Sequence, residues 1–131
     1  MNAKFEQLER DVINLILQNY PEACAFLKGK NYIEKRDFTG KGFFSVFDKR
    51  EVMAYQFEEA KLSVVGGWLN GKTLIGFVLF LENGRLFCLE GFTYGDDSWP
   101  EEIESYEFHV MRKEGEGPIV GFIPPPPRSS D

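Results

Sequence analysis

The stretch Thr73–Thr93, TLIGFVLFLENGRLFCLEGFT, carries the strongest structural signal in this 131-residue chain. Two apolar runs flank Asn83-Gly84, the dipeptide that best tolerates the positive φ angles of a tight type I′ turn. The stretch therefore predicts a β-hairpin with a two-residue loop, which pairs Glu82 with Arg85.

An uninterrupted ladder from this turn predicts the register of the hairpin. The predicted partners are Leu81 with Leu86, Phe80 with Phe87, Leu79 with Cys88, Val78 with Leu89, Phe77 with Glu90 and Gly76 with Gly91. Because paired residues share a face, both faces of this hairpin are apolar. Such a strand pair is typical of the centre of a sheet that is covered on two sides.

The N-terminal part of the chain has a helical pattern. One apolar stripe at helical spacing consists of Phe5, Leu8, Val12, Leu15 and Ile16. It predicts an amphipathic helix over about residues 3–18. Pro21 is well placed to begin a second, short helix that ends at Gly29.

After residue 30, aromatic and β-branched residues with glycine punctuation predict strands. They cover residues 32–39, 43–47, part of 55–65, the hairpin and 104–111. We interpret Gly66, Gly67, Asn70 and Gly71 as loop residues before the hairpin. The chain is therefore predicted to be an α+β protein, with the N-terminal helices packed on one face of a mostly antiparallel sheet of five or six strands.

The length predicts one domain, over residues 1–115, followed by a proline-rich tail over residues 116–131. Pro124–Pro127 impose an extended polyproline II conformation on that tail. Two N-terminal helices cover only one side of the sheet, whereas the hairpin is apolar on both. The second side then needs strong sheet curvature, the tail folding back, or another chain to cover it.

Charge excludes one class of ligand and favours another. The net charge is −6, which argues against nucleic acid as a ligand because phosphate binding depends on basic patches. Between Glu82 and Glu107 there are eight carboxylates and one cation, Arg85. Such an acidic region attracts a basic protein partner, and the alternative is a solvated face that keeps the protein soluble.

Apolar run length, cysteine spacing and the single histidine bear on membrane contact, metal binding and catalysis. The apolar run Leu74–Leu81 is shorter than the roughly 20 residues of a membrane span, and residues 1–9 are too polar for a signal peptide, so we expect a cytoplasmic protein without membrane contact. Cys24 and Cys88 lack metal or redox spacing, and the single His109 has no nucleophile placed beside it by spacing. We expect no zinc or other metal, no cofactor and no catalytic residue.

Glu90 is a candidate site residue because the predicted register places it mid-strand among apolar side chains, where an unpaired carboxylate is costly. The candidate pocket comprises Glu90, Phe77, Gly76 and Gly91. In one interpretation Glu90 is an acid, a base or an anchor for a cation at the base of that aromatic pocket. In the other it forms an ordinary ion pair with Arg36 or Lys35, bonds a tyrosine hydroxyl, or faces solvent.

The segment after the hairpin, DDSWPEEI over residues 96–103, combines turn formers, a tryptophan and four carboxylates. An aromatic flanked by charge is typical of an interface hot spot, although Trp99 could also tuck under the end of the sheet. The candidate partner-binding residues are Trp99, Tyr94, Asp96, Asp97, Glu101, Glu102 and Glu104.

Three segments resemble a family of small, largely uncharacterised bacterial proteins with an FTGxGFF motif and an LEGYTYG…WP motif. They read FTGKGFF at residues 38–44, GFVLFLENG at 76–84 and LEGFTYG at 89–95 with Trp99-Pro100, so the resemblance covers about residues 36–103. Phe92 stands at the aromatic position of the second motif. Some such acidic proteins are similar to immunity proteins that neutralise a toxin encoded beside them, and the resemblance implies no catalytic residue.

Three functional hypotheses follow. The first is a non-catalytic binding protein that recognises a basic protein through its acidic surface, as an immunity protein does. The second is a small-molecule-binding or hydrolytic domain with Glu90 in an aromatic pocket. The third is a homodimer joined through the second face of the sheet.

Overall fold

The computed structural model describes residues 3–58 and 62–112; the predicted tail lies outside them. Within these ranges the chain forms three helices and six strands. They are α1 (Ala3–Ile16), α2 (Pro21–Leu27), β1 (Ile33–Phe38), β2 (Gly42–Phe47), α3 (Lys49–Val52), β3 (Val64–Leu69), β4 (Thr73–Glu82), β5 (Arg85–Thr93) and β6 (Tyr106–Arg112).

The six strands form one antiparallel sheet in the order β1-β2-β5-β4-β3-β6. All three helices bury side chains in the same hydrophobic cluster, to which α1 contributes Leu8, Val12 and Ile16. The predicted α+β class, with helices on one face of an antiparallel sheet, is confirmed.

The sheet side that faces this cluster, here called the core face, is closely packed. Its fully buried side chains are Phe43, Phe47, Val65, Leu69, Ile75, Phe77 and Leu89, each at most 2% exposed. Their alternation along the strands fixes which residues point to the opposite side.

The hairpin turn forms as predicted, but the register beyond the first two pairs is wrong. Asn83 and Gly84 have φ angles of 52° and 77°, and Glu82 pairs with Arg85. A β-bulge at Phe87 then shifts the ladder by one residue, so that Phe80 pairs with Cys88. As a result, each later residue of β5 lies on the face opposite to the one predicted for it. The physical reason is burial: the shift removes the Glu90 carboxylate from the core face, where Gly91 now pairs with Phe77 and Leu89 pairs with Leu79.

Two of the glycines interpreted as loop residues lie inside a strand, which corrects the prediction. A Cβ on Gly67 would lie 2.0 Å from the Glu107 carbonyl oxygen, so glycine is what allows β6 to approach β3. The loop between β3 and β4 is formed by Asn70, Gly71 and Lys72, and the first two have positive φ.

The side of the sheet that faces away from the helices is here called the second face. Its apolar members include Phe44, Val46, Trp68, Leu74, Val78, Phe80, Cys88, Phe92 and Tyr94, and none of them belongs to the core cluster. Phe80 is 41% exposed and Tyr94 44% exposed. The hairpin is therefore apolar on both faces, as predicted, although the shifted register changes which residues lie on each.

In the part of the chain that the structure describes, no helix has the length and apolar character needed to cross a membrane.

Candidate functional site

The acidic segment predicted as the partner-binding site is fastened to the end of the sheet. The Trp99 amide donates to the Gly40 carbonyl over 2.9 Å, and the Thr93 hydroxyl donates to the Asp97 carbonyl over 2.6 Å. The ammonium group of Lys41 donates to the Gly95 carbonyl over 2.6 Å. The Trp99 and Lys41 bonds join the segment after β5 to the turn between β1 and β2, and the Thr93 bond ties the segment to the end of β5.

Asn70, at the tip of the β3–β4 hairpin, holds the other end of the segment. Its side-chain amide donates to the Glu102 carbonyl over 2.9 Å and accepts from the Glu104 amide over 2.7 Å and the Ser105 amide over 3.2 Å. Asn70 was predicted from the sequence as a loop residue, and its positive φ agrees with that prediction. Its contact with the acidic segment depends on the tertiary structure.

Between this segment and α1 lies an open groove of about 570 Å³, here called the Trp99 groove. It is lined by Phe5, Phe38, Gly40, Gly42, Trp99, Pro100, Glu101 and Ile103. Among the described lining residues, Phe5, Phe38 and Trp99 are aromatic and Glu101 alone is charged. Phe38 is 51% exposed.

Two glycines open the groove on the side of the FTGKGFF motif. Gly40 has a φ of +85°, which side chains rarely adopt. A Cβ on Gly42 would lie 1.9 Å from the Gly91 carbonyl oxygen, so no other residue fits between β2 and β5 there. The motif therefore has a local structural explanation, which is to place Phe38 and Phe43 on either side of a tight turn.

Trp99 has the structural position that its sequence context suggested, and its role as an interface hot spot stays a prediction. Its ring packs edge-on against Phe43 and Phe77 at centroid distances of 5.2 Å and 6.3 Å, beneath the end of the sheet. It nevertheless stays partly exposed and lines the groove. Trp99 therefore connects the groove directly to the hydrophobic core.

The predicted carboxylates surround this region and point to solvent. Asp96, Asp97, Glu101, Glu102 and Glu104 are all exposed. Within residues 3–58 and 62–112, no ion pair joins any of these five side chains to a cation. An unneutralised group of this kind is the arrangement that attracts a cationic partner.

Tyr94, grouped with these residues by sequence, lies on the second face instead. Its ring contacts Phe92 at a centroid distance of 5.5 Å, and burial raises the pKa of its phenol. The structure therefore separates Tyr94 from the groove residues.

The four residues of the candidate pocket around Glu90 do not share a face. Glu90 pairs with Val78 on the second face, whereas Phe77 pairs with Gly91 on the core face. The space beside Gly91 is occupied by the Phe43 ring and that beside Gly76 by the Phe92 ring. Glu90 lines neither the Trp99 groove nor the smaller cavities described beside α3, α2 and β4.

Arg36, one of the predicted partners of Glu90, binds Glu9 instead. Glu9 is 2% exposed on α1, and Arg36 donates to its two oxygens over 2.9 Å and 2.6 Å, while the Ser45 hydroxyl donates a further bond. The bonds to Glu9 raise the pKa of Arg36. Sequence reasoning missed this cluster, although Glu9 lies four residues after Phe5, within the apolar stripe.

Neither Cys24 nor Cys88 is an activated nucleophile. Burial raises the pKa of both Cys24 and Cys88, and the Glu90 carboxylate raises the pKa of Cys88 further, which disfavours the nucleophilic thiolate. His109 lies on β6 with its Nε2 atom 4.0 Å from the Glu107 carboxylate. Among the residues described, no three His, Cys, Asp or Glu side chains form a group that could hold a metal ion.

No protein-family model matches this chain, and neither curated proteins nor solved structures include a significant match.

Proposed function

We propose that this chain is a non-catalytic binding protein that recognises a basic protein partner through the Trp99 groove and the carboxylates around it. The partner class we propose is a bacterial toxin domain, neutralised in the manner of an immunity protein. The resemblance of residues 36–103 to a family of small bacterial proteins, some of which are similar to immunity proteins, supports this class.

The observation that carries the proposal is an aromatic groove with Glu101 in its lining, bordered by carboxylates without ion-pair partners in the described chain. Lysine and arginine side chains match such a site because each combines an apolar stem with a cationic head. The stem would pack on Phe38 and Trp99, and the head would reach Glu101. Aromatic faces add cation–π attraction to the same side chains.

The groove and the carboxylates would contribute to different steps of binding. Exposed charges mainly accelerate encounter with an oppositely charged protein, whereas aromatic anchors mainly slow dissociation. Phe38 and Trp99 are the anchors, since both line the groove and both are held in place by ring contacts with Phe43. Such anchors typically contribute about 2 kcal/mol or more each to binding.

The first prediction concerns the five carboxylates. In a variant that carries Asp96→Asn, Asp97→Asn, Glu101→Gln, Glu102→Gln and Glu104→Gln, the association rate with the protein encoded by the neighbouring gene should fall by roughly tenfold or more at low salt. Surface plasmon resonance with purified proteins measures this rate.

A variant with the same loss of charge elsewhere is the matched control. It carries Gln in place of Glu22, Glu34, Glu51, Glu58 and Glu82, and its association rate should stay within about twofold of the native rate. Equal losses in the two variants would show that only net charge matters. Absence of binding by the native chain to neighbouring gene products would overturn the proposal.

A further inference from the structure

We propose that residues 117–127 of this chain, GPIVGFIPPPP, bind in cis across the second face of the sheet and cover it. This interaction concerns the opposite side of the sheet from α1 and does not depend on the proposed function.

The first step is the apolar character of the second face. Phe44, Val78, Phe92 and their neighbours cross four adjacent strands, β2, β5, β4 and β3, without joining the core cluster. The helices of the described chain all bury residues on the core face. A contiguous apolar surface of this extent is typical of an interaction site rather than of a wet surface.

The second step is the sequence of the segment itself. Residues 117–127 contain no charged residue, and four of the first seven are Ile119, Val120, Phe122 and Ile123. The four prolines that follow favour polyproline II, a conformation that docks on surfaces lined by aromatic rings. The second face presents such rings in Phe44, Phe80, Phe92 and Tyr94.

The third step is that the chain after β6 is long enough to cross the second face. β6 ends at Arg112, which pairs with Val64 at one side of the sheet. The row of second-face residues that continues from there runs through Val78 and Glu90 to Phe44. Crossing from β6 to β2 takes about 20 Å at the usual strand spacing, and the fifteen residues from 113 to 127 span roughly 50 Å when extended.

The fourth step is the position of Glu90. Its carboxylate is half-buried in the middle of the apolar row, and no hydrogen bond or ion pair joins it to another residue of the described chain. A covering segment must therefore supply hydrogen-bond donors there. Residues 119–123 carry five consecutive backbone amides, whereas the prolines carry none.

The experiment uses a cysteine reporter at the centre of the second face. Val78→Cys is introduced together with Cys24→Ala and Cys88→Ala, and modification of the thiol by dithionitrobenzoate is followed in the full chain and in a chain that ends at residue 114. We expect modification to be at least tenfold faster in the shortened chain. A synthetic peptide of residues 115–128 should slow it again.

Two controls keep the result interpretable. In a Cys88→Ala background, native Cys24 on α2 should react at the same rate in both chain lengths, because it lies on the other side of the sheet. If the shortened chain loses its far-ultraviolet circular dichroism, the full-length reporter chain with Phe122→Asp decides the question, and it should also react at least tenfold faster.

Two outcomes would overturn the proposal. Equal rates with and without the segment, to within twofold, would show that it does not cover the face. A rate in the full chain that falls as protein concentration rises would assign the cover to a second copy, the homodimer hypothesis. A rate independent of concentration supports the cis arrangement.

Discussion

At the scale of single residues, the buried Glu9 carboxylate shows how charge is accommodated inside this core. Arg36 and Ser45 supply three hydrogen bonds to its two oxygens, so the anion exchanges water for fixed donors. Because the site is fully satisfied and lines no described cavity, we interpret it as a structural link between α1 and strands β1 and β2.

The corresponding prediction is that Glu9→Gln lowers the free energy of unfolding by about 3 kcal/mol, since Arg36 keeps its charge and loses the balancing anion. Urea unfolding followed by circular dichroism measures the change. Glu6→Gln on the same helix is the control and should cost less than about 0.5 kcal/mol because Glu6 is exposed.

Replacing both Glu9 and Arg36 tests whether the loss of stability comes from a buried charge that is left unpaired. Glu9→Leu combined with Arg36→Met should be less destabilising than Glu9→Gln alone, because no buried charge remains unpaired. A double variant as unstable as the sum of the single variants would contradict this account.

At the scale of elements, the bulge in β5 decides the chemistry of the hairpin. Without Phe87 as an extra residue, Glu90 would face the core beside Phe77 and would need a partner there. With the bulge, Leu89 and Gly91 occupy the core face, and the Phe43 ring fills the space above Gly91. The same slip removes the predicted Glu90 pocket.

The link between β6 and α1 leads to a pH-dependent prediction. The Tyr106 hydroxyl donates to the Asp11 carboxylate over 2.6 Å, and burial together with that bond raises the pKa of Tyr106 to about 12. The unfolded pKa is about 10, so this contribution to stability is complete below pH 10 and is lost as pH rises towards 12.

Tyr106→Phe should therefore reduce the loss of stability between pH 9 and pH 11. At pH 9 the variant should be less stable than the native chain by about 1 kcal/mol, the usual contribution of one hydrogen bond. Urea midpoints at the two pH values measure both effects. The same pH-dependent loss in the native chain and in the variant would exclude Tyr106 as its source.

At the scale of the whole molecule, charge and apolar surface are segregated. Five exposed carboxylates, Asp96, Asp97, Glu101, Glu102 and Glu104, lie in the segment beside the Trp99 groove, while the central strands of the second face are mainly apolar and contain Glu90. Our two proposals follow this separation: a basic protein partner is proposed for the first region and residues 117–127 for the second.

The net charge of −6 predicts that salt slows binding of the proposed partner. Raising the concentration of sodium chloride from 50 to 500 mM should lower the association rate of the native chain by tenfold or more, because screening shortens the Debye length. The five-carboxylate variant should lose much less. Stopped-flow fluorescence measures both rates, and equal salt dependence in the two proteins would argue against electrostatic steering.

Local patterns in the sequence determined the elements and the hairpin turn. The stripe of α1, Pro21 at the start of α2 and Asn83-Gly84 at the turn each act within a few residues, so propensity and periodicity suffice to predict them. The same patterns predicted the α+β class and the exposure of the acidic segment. Its role as a partner-binding site stays a prediction.

Three features could not be predicted from local patterns: the register of β5, the pairing of Arg36 with Glu9 and the groove beside Trp99. Each depends on contacts between residues far apart in the chain, where packing selects one arrangement among several with similar local cost. Gly67 illustrates the reason, since its sequence context resembles a loop and its place in β3 depends on the close approach of β6.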